Sequence, residues 1–98
     1  MANHILHIKI SRKDRKLIDQ VMMFVSVIAP LLSLPQAWTI YANQNAENVS
    51  LFTWVSFLSF ATIYLLYGII HKIKPLIITN ILWIIVEILV VVGILVYG

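Results

Sequence analysis

An amide and a carboxyl lie on one face of an otherwise apolar segment in the last quarter of this chain. Asn80 and Glu87 are seven residues apart, about two turns of an α-helix, so they share a face on which Ile84 lies between them. The other positions of the segment, Trp83 included, suit lipid or packing. The stripe predicts a polar path for a small solute. The alternative for Asn80 is a hydrogen bond to a neighbouring helix.

The charged residues of the chain lie almost entirely outside three long apolar stretches. Lys, Arg, Asp and Glu are absent from residues 21–46 and 48–70, and residues 75–98 contain only Glu87. Because about 20 apolar residues are enough to cross the hydrocarbon core of a bilayer, each stretch is long enough to span a membrane.

These stretches predict an all-α membrane protein with three transmembrane helices per chain. The 98 residues are 61% hydrophobic, which is more apolar surface than a soluble domain of this size can bury. We expect a basic N-terminal segment over residues 1–17 and a triple-helix bundle over 18–98, with helices at about 18–41, 51–70 and 76–97.

Glu87 lies near the middle of the third predicted helix, where an ionisable group is costly and is by default a functional candidate. We expect its carboxyl to be largely neutral until a cation or a partner stabilises the charge, which makes it a possible proton site. The alternative is a structural role, as a protonated carboxyl hydrogen-bonded to a neighbouring hydroxyl.

The composition argues against catalysis and against nucleic-acid binding. The sequence has no cysteine, no nucleophile–base pair and no phosphate-binding glycine loop, so we expect no enzyme, no cofactor and no metal site. His4 and His7 are spaced for metal binding, but no carboxylate cluster or cysteine accompanies them. The net charge is +3, and its basic residues all flank apolar spans, as membrane-surface anchors do. They are Lys9, Arg12, Lys13, Arg15, Lys16, Lys72 and Lys74.

The first predicted helix contains two prolines, Pro30 and Pro35, so we expect it to be kinked. Hydroxyls such as that of Ser33 can satisfy the carbonyls that the prolines leave unpaired, and so can the Gln36 side chain. A cleaved signal peptide is the alternative for this region. Its apolar part runs past Pro35 to Ile40, however, which is too long for one.

Three helices cannot enclose a solute pathway, whereas six can. The sequence shows no internal repeat, so we predict a parallel homodimer whose twofold axis lies along the membrane normal. The short loop 42–50 predicts that the first two helices are antiparallel neighbours. Polar residues that would be costly in lipid are expected to line the axis. They are Gln36, Thr53, Ser56, Ser59, Thr62, Tyr64, Asn80 and Glu87.

Three sequence motifs resemble the SWEET/PQ-loop (MtN3/saliva) superfamily, specifically the bacterial three-helix half-transporters called SemiSWEETs. The resemblance covers about residues 21–97, and the motifs are LPQAWTIYANQNAENVSLFTW, YLLYGI and KPLIITN. It implies a three-helix bundle that pairs as a parallel homodimer. It also implies passive, alternating-access movement of a mono- or disaccharide through the dimer axis.

The resemblance assigns roles to individual residues. Asn80 matches the sugar-binding asparagine, and Tyr64 stands where the family usually has a pocket tryptophan, offering a smaller apolar face to the sugar. Pro35 and Gln36 match the helix hinge. Tyr67 matches one gate, and Trp54 with Phe57 match bulky residues near the opposite gate. The alternative for each aromatic residue is packing or interfacial anchoring.

Three departures from the family pattern bear on function. His71 and Ile73 occupy the usual basic and acidic gate positions, so no ion pair between subunits is expected there. Glu87 stands where an apolar residue is expected. All Lys and Arg residues lie on one side of the predicted membrane, so the positive-inside rule places the N-terminus in the cytoplasm, opposite to the family.

Two alternatives to a passive sugar uniporter of a bacterial or archaeal cell membrane remain. Wider PQ-loop proteins such as lysosomal amino-acid exporters use intramembrane acids, so a proton-coupled carrier of amino acids or another small solute through Glu87 is the first. The second is a non-transporting assembly or regulatory subunit of the membrane. The carboxyl at position 87 argues against it, because a packing module has no need of one.

Overall fold

The computed structural model describes residues 9–98 and is all-helical over that range, without a strand. Its helices are α1 (Arg12–Leu32), α2 (Leu34–Asn43), α3 (Leu51–His71) and α4 (Lys74–Tyr97). Three helices are long and apolar enough to cross a membrane: the nearly continuous pair α1–α2, then α3, then α4. This confirms the prediction of an all-α chain with three such helices. The pairing of two chains stays a prediction.

The first helix begins at Arg12, closer to the N-terminus than the expected start near Ile18. Ser11 precedes it with extended backbone, and its hydroxyl oxygen accepts a hydrogen bond from the backbone N–H of Asp14 at 3.1 Å. This is an ordinary N-cap, and Asp14 in the first turn adds a favourable charge at the helix N-terminus. The basic residues after Arg12 therefore extend the helix beyond the apolar stretch. His4 and His7 lie outside the described residues.

The first membrane-crossing helix is interrupted at Ser33, between α1 and α2. Pro30 is buried inside the last turn of α1, and Pro35 lies in the first turn of α2. Neither proline has a backbone N–H to donate, which weakens the helical ladder at this point. The Ser33 hydroxyl donates to the Pro30 carbonyl at 2.6 Å, and the Ser33 backbone N–H donates to the same oxygen at 3.1 Å. The Ser33 hydroxyl thus bonds a carbonyl within the break, but that of Pro30 and not, as expected, one of the carbonyls four residues before a proline, which are those of Ser26 and Leu31.

The turn between α3 and α4 is tight. Lys72 adopts a left-handed conformation with φ of 55°, and the next N–H, that of Ile73, donates to the Gly68 carbonyl at 2.9 Å. Pro75 then lies in the first turn of α4, where its missing N–H costs nothing. These features reverse the chain within a few residues and hold α3 and α4 side by side.

Helix α4 is the centre of the bundle, because it packs against α1, α2 and α3. Among the described residues, the backbone of α3 does not come close to that of α1 or α2, so the prediction that the first two membrane-crossing helices are neighbours is wrong. The connecting loop is long enough to pass over the end of α4, where the Ala46 N–H donates to the Tyr97 carbonyl at 3.4 Å. The two outer helices therefore leave an open face of α4 between them.

Candidate functional site

The open face of α4 carries a cleft of 420 Å³. All but three of its lining residues are apolar or aromatic, which is typical of small-molecule sites in proteins. The lining comprises Ser33, Trp54, Phe57, Phe60, Ala61, Tyr64, Asn80, Trp83 and Glu87. The structure thus brings together most of the substrate, gate and proton-site residues that the sequence predicts.

Asn80 is 5% exposed and projects from α4 into the cleft. Its side-chain N–H donates to the Leu76 carbonyl at 2.7 Å, one turn earlier on the same helix. Among the described residues, the Asn80 amide therefore does not make the alternative contact, a hydrogen bond to a neighbouring helix. One donor of the amide is engaged, and a second donor and the carbonyl oxygen remain for a ligand.

Glu87 is equally buried, at 5% exposure, and lines the same cleft. Its Oε1 atom has no hydrogen-bond partner, so the alternative of a carboxyl bonded to a hydroxyl is not seen at this atom. None of the side chains that line the cleft is basic. A buried carboxyl oxygen without a partner is unfavourable, and such exceptions call for an explanation.

Aromatic residues of α3 form the wall opposite α4. Trp54 and Phe57 meet edge to face with ring centroids 5.6 Å apart. Tyr64 is 58% exposed, so its ring is accessible from the cleft. This wall offers apolar faces rather than hydrogen bonds.

Trp83 is the largest of the lining residues that sequence reasoning missed, which also include Ser33, Phe60 and Ala61. It was expected to face lipid or to serve packing, but its half-buried indole faces the cleft. The available signal was its spacing, three residues after Asn80 and four before Glu87, which places it on the same helix face. The prediction for Trp83 is therefore corrected.

Pro35, Gln36 and Tyr67 lie away from this cleft. Gln36 lines a separate cleft of 310 Å³ beside the loop between α2 and α3. Tyr67 packs against His71 near the C-terminal end of α3, with ring centroids 4.3 Å apart. Their predicted hinge and gate roles concern motion, which one conformation does not test.

The hydroxyl residues of α3 are also absent from the cleft lining. Ser56, Ser59 and Thr62 each donate to the carbonyl four residues earlier, at 2.8 to 2.9 Å. Thr53 instead donates to the Ser50 hydroxyl at 3.0 Å. Such bonds satisfy hydroxyls within an apolar helix without a second helix. These residues therefore do not share the site of Asn80 and Glu87.

Basic residues gather at the end of the bundle where α1 and α4 begin. Arg15, Lys72 and Lys74 border a cavity of 810 Å³ between these two helices, together with Asp19. The structure therefore places the basic N-terminal part of α1 and the turn before α4 at the same end. Among the described residues, no group of three or more His, Cys, Asp or Glu is arranged to hold a metal ion.

The three apolar helices define an integral, multi-pass membrane protein with a cleft on its central helix. A sugar transporter SemiSWEET from Vibrio sp. (strain N418) is 30% identical over 82 residues, which cover 82% of this chain and 84% of that relative. No family model matches the chain, and no solved structure does. The chain belongs to the SemiSWEET family, which the sequence motifs predicted. That relative is named a transporter, which is not an enzyme class.

Proposed function

We propose that this protein transports a small sugar, a mono- or disaccharide, passively across the membrane. The observation that carries the proposal is a cleft on the open face of α4 that combines aromatic faces with a buried amide, Asn80. Sugars present both apolar C–H faces and hydroxyls, so such a lining suits them. The named activity of the Vibrio relative, sugar transport, supports the same conclusion.

The transporting unit in this proposal is a parallel homodimer. The cleft of one chain is open on the side away from α4, between the two outer membrane-crossing helices. A second chain related by a twofold axis along the membrane normal closes this side and doubles the polar groups. Asn80 and Glu87 then face a shared cavity rather than acyl chains, which is where buried polar groups of membrane proteins are stable.

Alternating access in this proposal uses the break at Ser33. Pro35 and Gln36 follow the break directly, so α1 and α2 can change their mutual angle there without losing helical hydrogen bonds elsewhere. Tyr67 gates one end of the pathway. Trp54 and Phe57 gate the opposite end, since they lie about three turns away on α3.

We also infer the membrane orientation from charge. Arg15, Lys72 and Lys74 lie at the same end of the bundle, whereas the loop 42–50 and the end of α4 carry no Lys or Arg. The positive-inside rule places the basic end in the cytoplasm of a bacterial or archaeal cell. The N-terminus is then cytoplasmic and Gly98 extracellular, because the chain crosses the membrane three times.

A proton-coupled carrier of amino acids or another small solute is the second candidate. The observation that favours it is the buried Glu87 oxygen without a partner, in a cleft that has no basic side chain. Protonation is one way in which such a carboxyl is accommodated. If protonation and release alternate during transport, the solute moves together with a proton.

Uptake into proteoliposomes tests these candidates. Labelled glucose, sucrose and a mixture of amino acids are each offered with and without a pH gradient. A passive sugar carrier gives saturable sugar uptake that the gradient does not drive beyond equilibrium. Accumulation that requires the gradient favours the proton-coupled carrier. The absence of uptake for every solute favours a non-transporting subunit.

A further inference from the structure

Trp83 occupies the middle of a row of three side chains on the open face of α4. Asn80, Trp83 and Glu87 all line the 420 Å³ cleft and follow one another at intervals of three and four residues. From helix geometry, the Trp83 Cα lies about 4.5 Å along the axis from that of Asn80 and about 6 Å from that of Glu87, and the three share an arc of about 60°. The row presents an amide, an indole and a carboxyl in order.

The two outer members of the row have unused hydrogen-bonding capacity. Asn80 engages one amide N–H with the Leu76 carbonyl, which leaves another N–H and the side-chain oxygen. Glu87 is 5% exposed and its Oε1 has no partner among the described residues. A ligand with hydroxyl groups supplies donors and acceptors to both positions.

The middle member supplies the largest aromatic face on α4. The Trp83 indole is half-buried, so part of its surface is held in place while another part remains accessible to the cleft. Across the cleft, α3 offers the smaller ring of Tyr64. A pyranose ring that lies on the indole directs its hydroxyls outward, toward both ends of the row.

We propose that the row Asn80–Trp83–Glu87 is the sugar-binding surface of this chain. The pyranose ring stacks on Trp83, and hydroxyls at opposite ends of the ring bind Asn80 and Glu87. Trp83 thereby supplies the aromatic face that Tyr64 offers only in part, and Glu87 becomes a second hydroxyl-binding residue. The inference rests on the proposed sugar transport and deepens it to a pyranose with hydroxyls at both ends.

The test measures the glucose concentration that gives half-maximal uptake into proteoliposomes. Trp83→Leu removes the stacking face, and we expect this concentration to rise about ten-fold. Glu87→Leu removes a hydroxyl partner, and we expect a rise of about five-fold. Trp83→Phe and Glu87→Gln keep an aromatic ring and a hydrogen-bonding group, so both are expected to stay closer to the parent than the leucine variants.

Trp38→Leu is the matched control, because Trp38 is 74% exposed and lies outside the cleft. Its half-maximal concentration should equal that of the parent. Thermal unfolding of every variant in detergent separates lost binding from lost folding. If Trp83→Leu fails to fold, Trp83→Met takes its place with Trp38→Met as its control, because methionine fills apolar space without an aromatic face. A parent-like value for Trp83→Met overturns the role of the indole.

Three further outcomes contradict all or part of this proposal. If Trp83→Leu and Glu87→Leu keep the half-maximal concentration of the parent while Asn80→Ala is impaired, Trp83 and Glu87 do not bind the sugar, although the protein is still a sugar carrier. Equal impairment of Glu87→Gln and Glu87→Leu rejects hydroxyl binding by Glu87, because the amide keeps that capacity. If the parent takes up no sugar, the proposed function itself fails, and the row fails with it as a sugar site.

Discussion

The Tyr41 hydroxyl donates a hydrogen bond to the backbone carbonyl of Leu89 at 2.6 Å. This bond connects α2 to the central helix α4 on the far side of the break at Ser33. On the near side of the break, α1 also packs on α4, but its N-terminal part and the first turns of α4 border the 810 Å³ cavity. The N-terminal part of α1 therefore has open space beside it, whereas α2 is tied to α4 by a hydrogen bond.

Replacing Tyr41 with phenylalanine tests this attachment. The ring keeps its edge-to-face contact with Tyr97, whereas the hydrogen bond to Leu89 is lost. We expect a loss of about 1 kcal/mol in the free energy of unfolding, measured by denaturation in detergent. Tyr97→Phe is the matched control and should cost less. An unfolding curve of Tyr41→Phe that coincides with that of the parent would contradict the assignment.

A close approach at Gly93 brings α2 against α4. A Cβ atom at Gly93 would lie 2.8 Å from the Ile40 Cγ2 atom, closer than real contacts allow. Gly93→Ala is therefore expected to destabilise the protein by about 1–3 kcal/mol, because α2 must move away. Denaturation in detergent measures this loss.

The double variant Gly93→Ala with Ile40→Ala serves as the control for that clash. It should lose less stability than the sum of the two single variants, because Ile40 is the group that the new methyl meets. Additive losses would show that the clash is relieved elsewhere. Gly68→Ala should cost less than Gly93→Ala, since its nearest contacts would be 3.3 Å.

Asn80 is expected to be required for transport of any polar solute through the cleft. Asn80→Ala removes a buried amide that retains free hydrogen-bonding capacity, so sugar uptake into proteoliposomes should fall at least five-fold, about the effect of one hydrogen bond. Thr62→Ala is the matched control, because the Thr62 hydroxyl bonds to its own helix outside the cleft. Equal uptake by the parent and both variants would mean that the amide has a structural role.

The response to a pH gradient separates the two transport mechanisms at Glu87. Glu87→Gln keeps hydrogen bonding but cannot exchange a proton, so a passive sugar carrier should remain active and a proton-coupled carrier should lose gradient-driven accumulation. Uptake by Glu87→Gln is compared with uptake by the parent, with and without the gradient. We expect parent-like rates in both conditions. A loss confined to the gradient condition would establish coupling.

The orientation is testable with reporters fused after Gly98. A cytoplasmic N-terminus and three crossings place Gly98 outside, so alkaline phosphatase should be active there and green fluorescent protein dark. The control moves positive charge to the opposite end of the bundle: Lys72 and Lys74 are replaced by glutamine, and Asn43 and Asn48 by lysine. This variant should show a weaker preference for a cytoplasmic N-terminus. A reporter that is active only in the cytoplasm would overturn the orientation.

The membrane class and the three helices follow from the sequence because they depend on local properties. Charge-free stretches such as 48–70 specify spanning helices by their length and hydropathy alone. Ser50 specifies the start of α3 through the hydrogen bond that its hydroxyl accepts from the Thr53 N–H, and Pro75 favours the start of α4 because its fixed φ suits the first turn of a helix. Asn80 and Glu87 share a face because helical periodicity is also local.

Only the tertiary structure shows the order in which the helices pack, the path of the loop over the end of α4 and which residues line the cleft. The sequence placed the first two membrane-crossing helices side by side, whereas α4 lies between them, since a seven-residue connection can pass over a helix end. Trp83 was assigned to lipid or packing because its surroundings in sequence are apolar. Only the packing of α1–α2 and α3 on two sides of α4 decides which of its faces remains open, and that face carries Trp83 with Asn80 and Glu87.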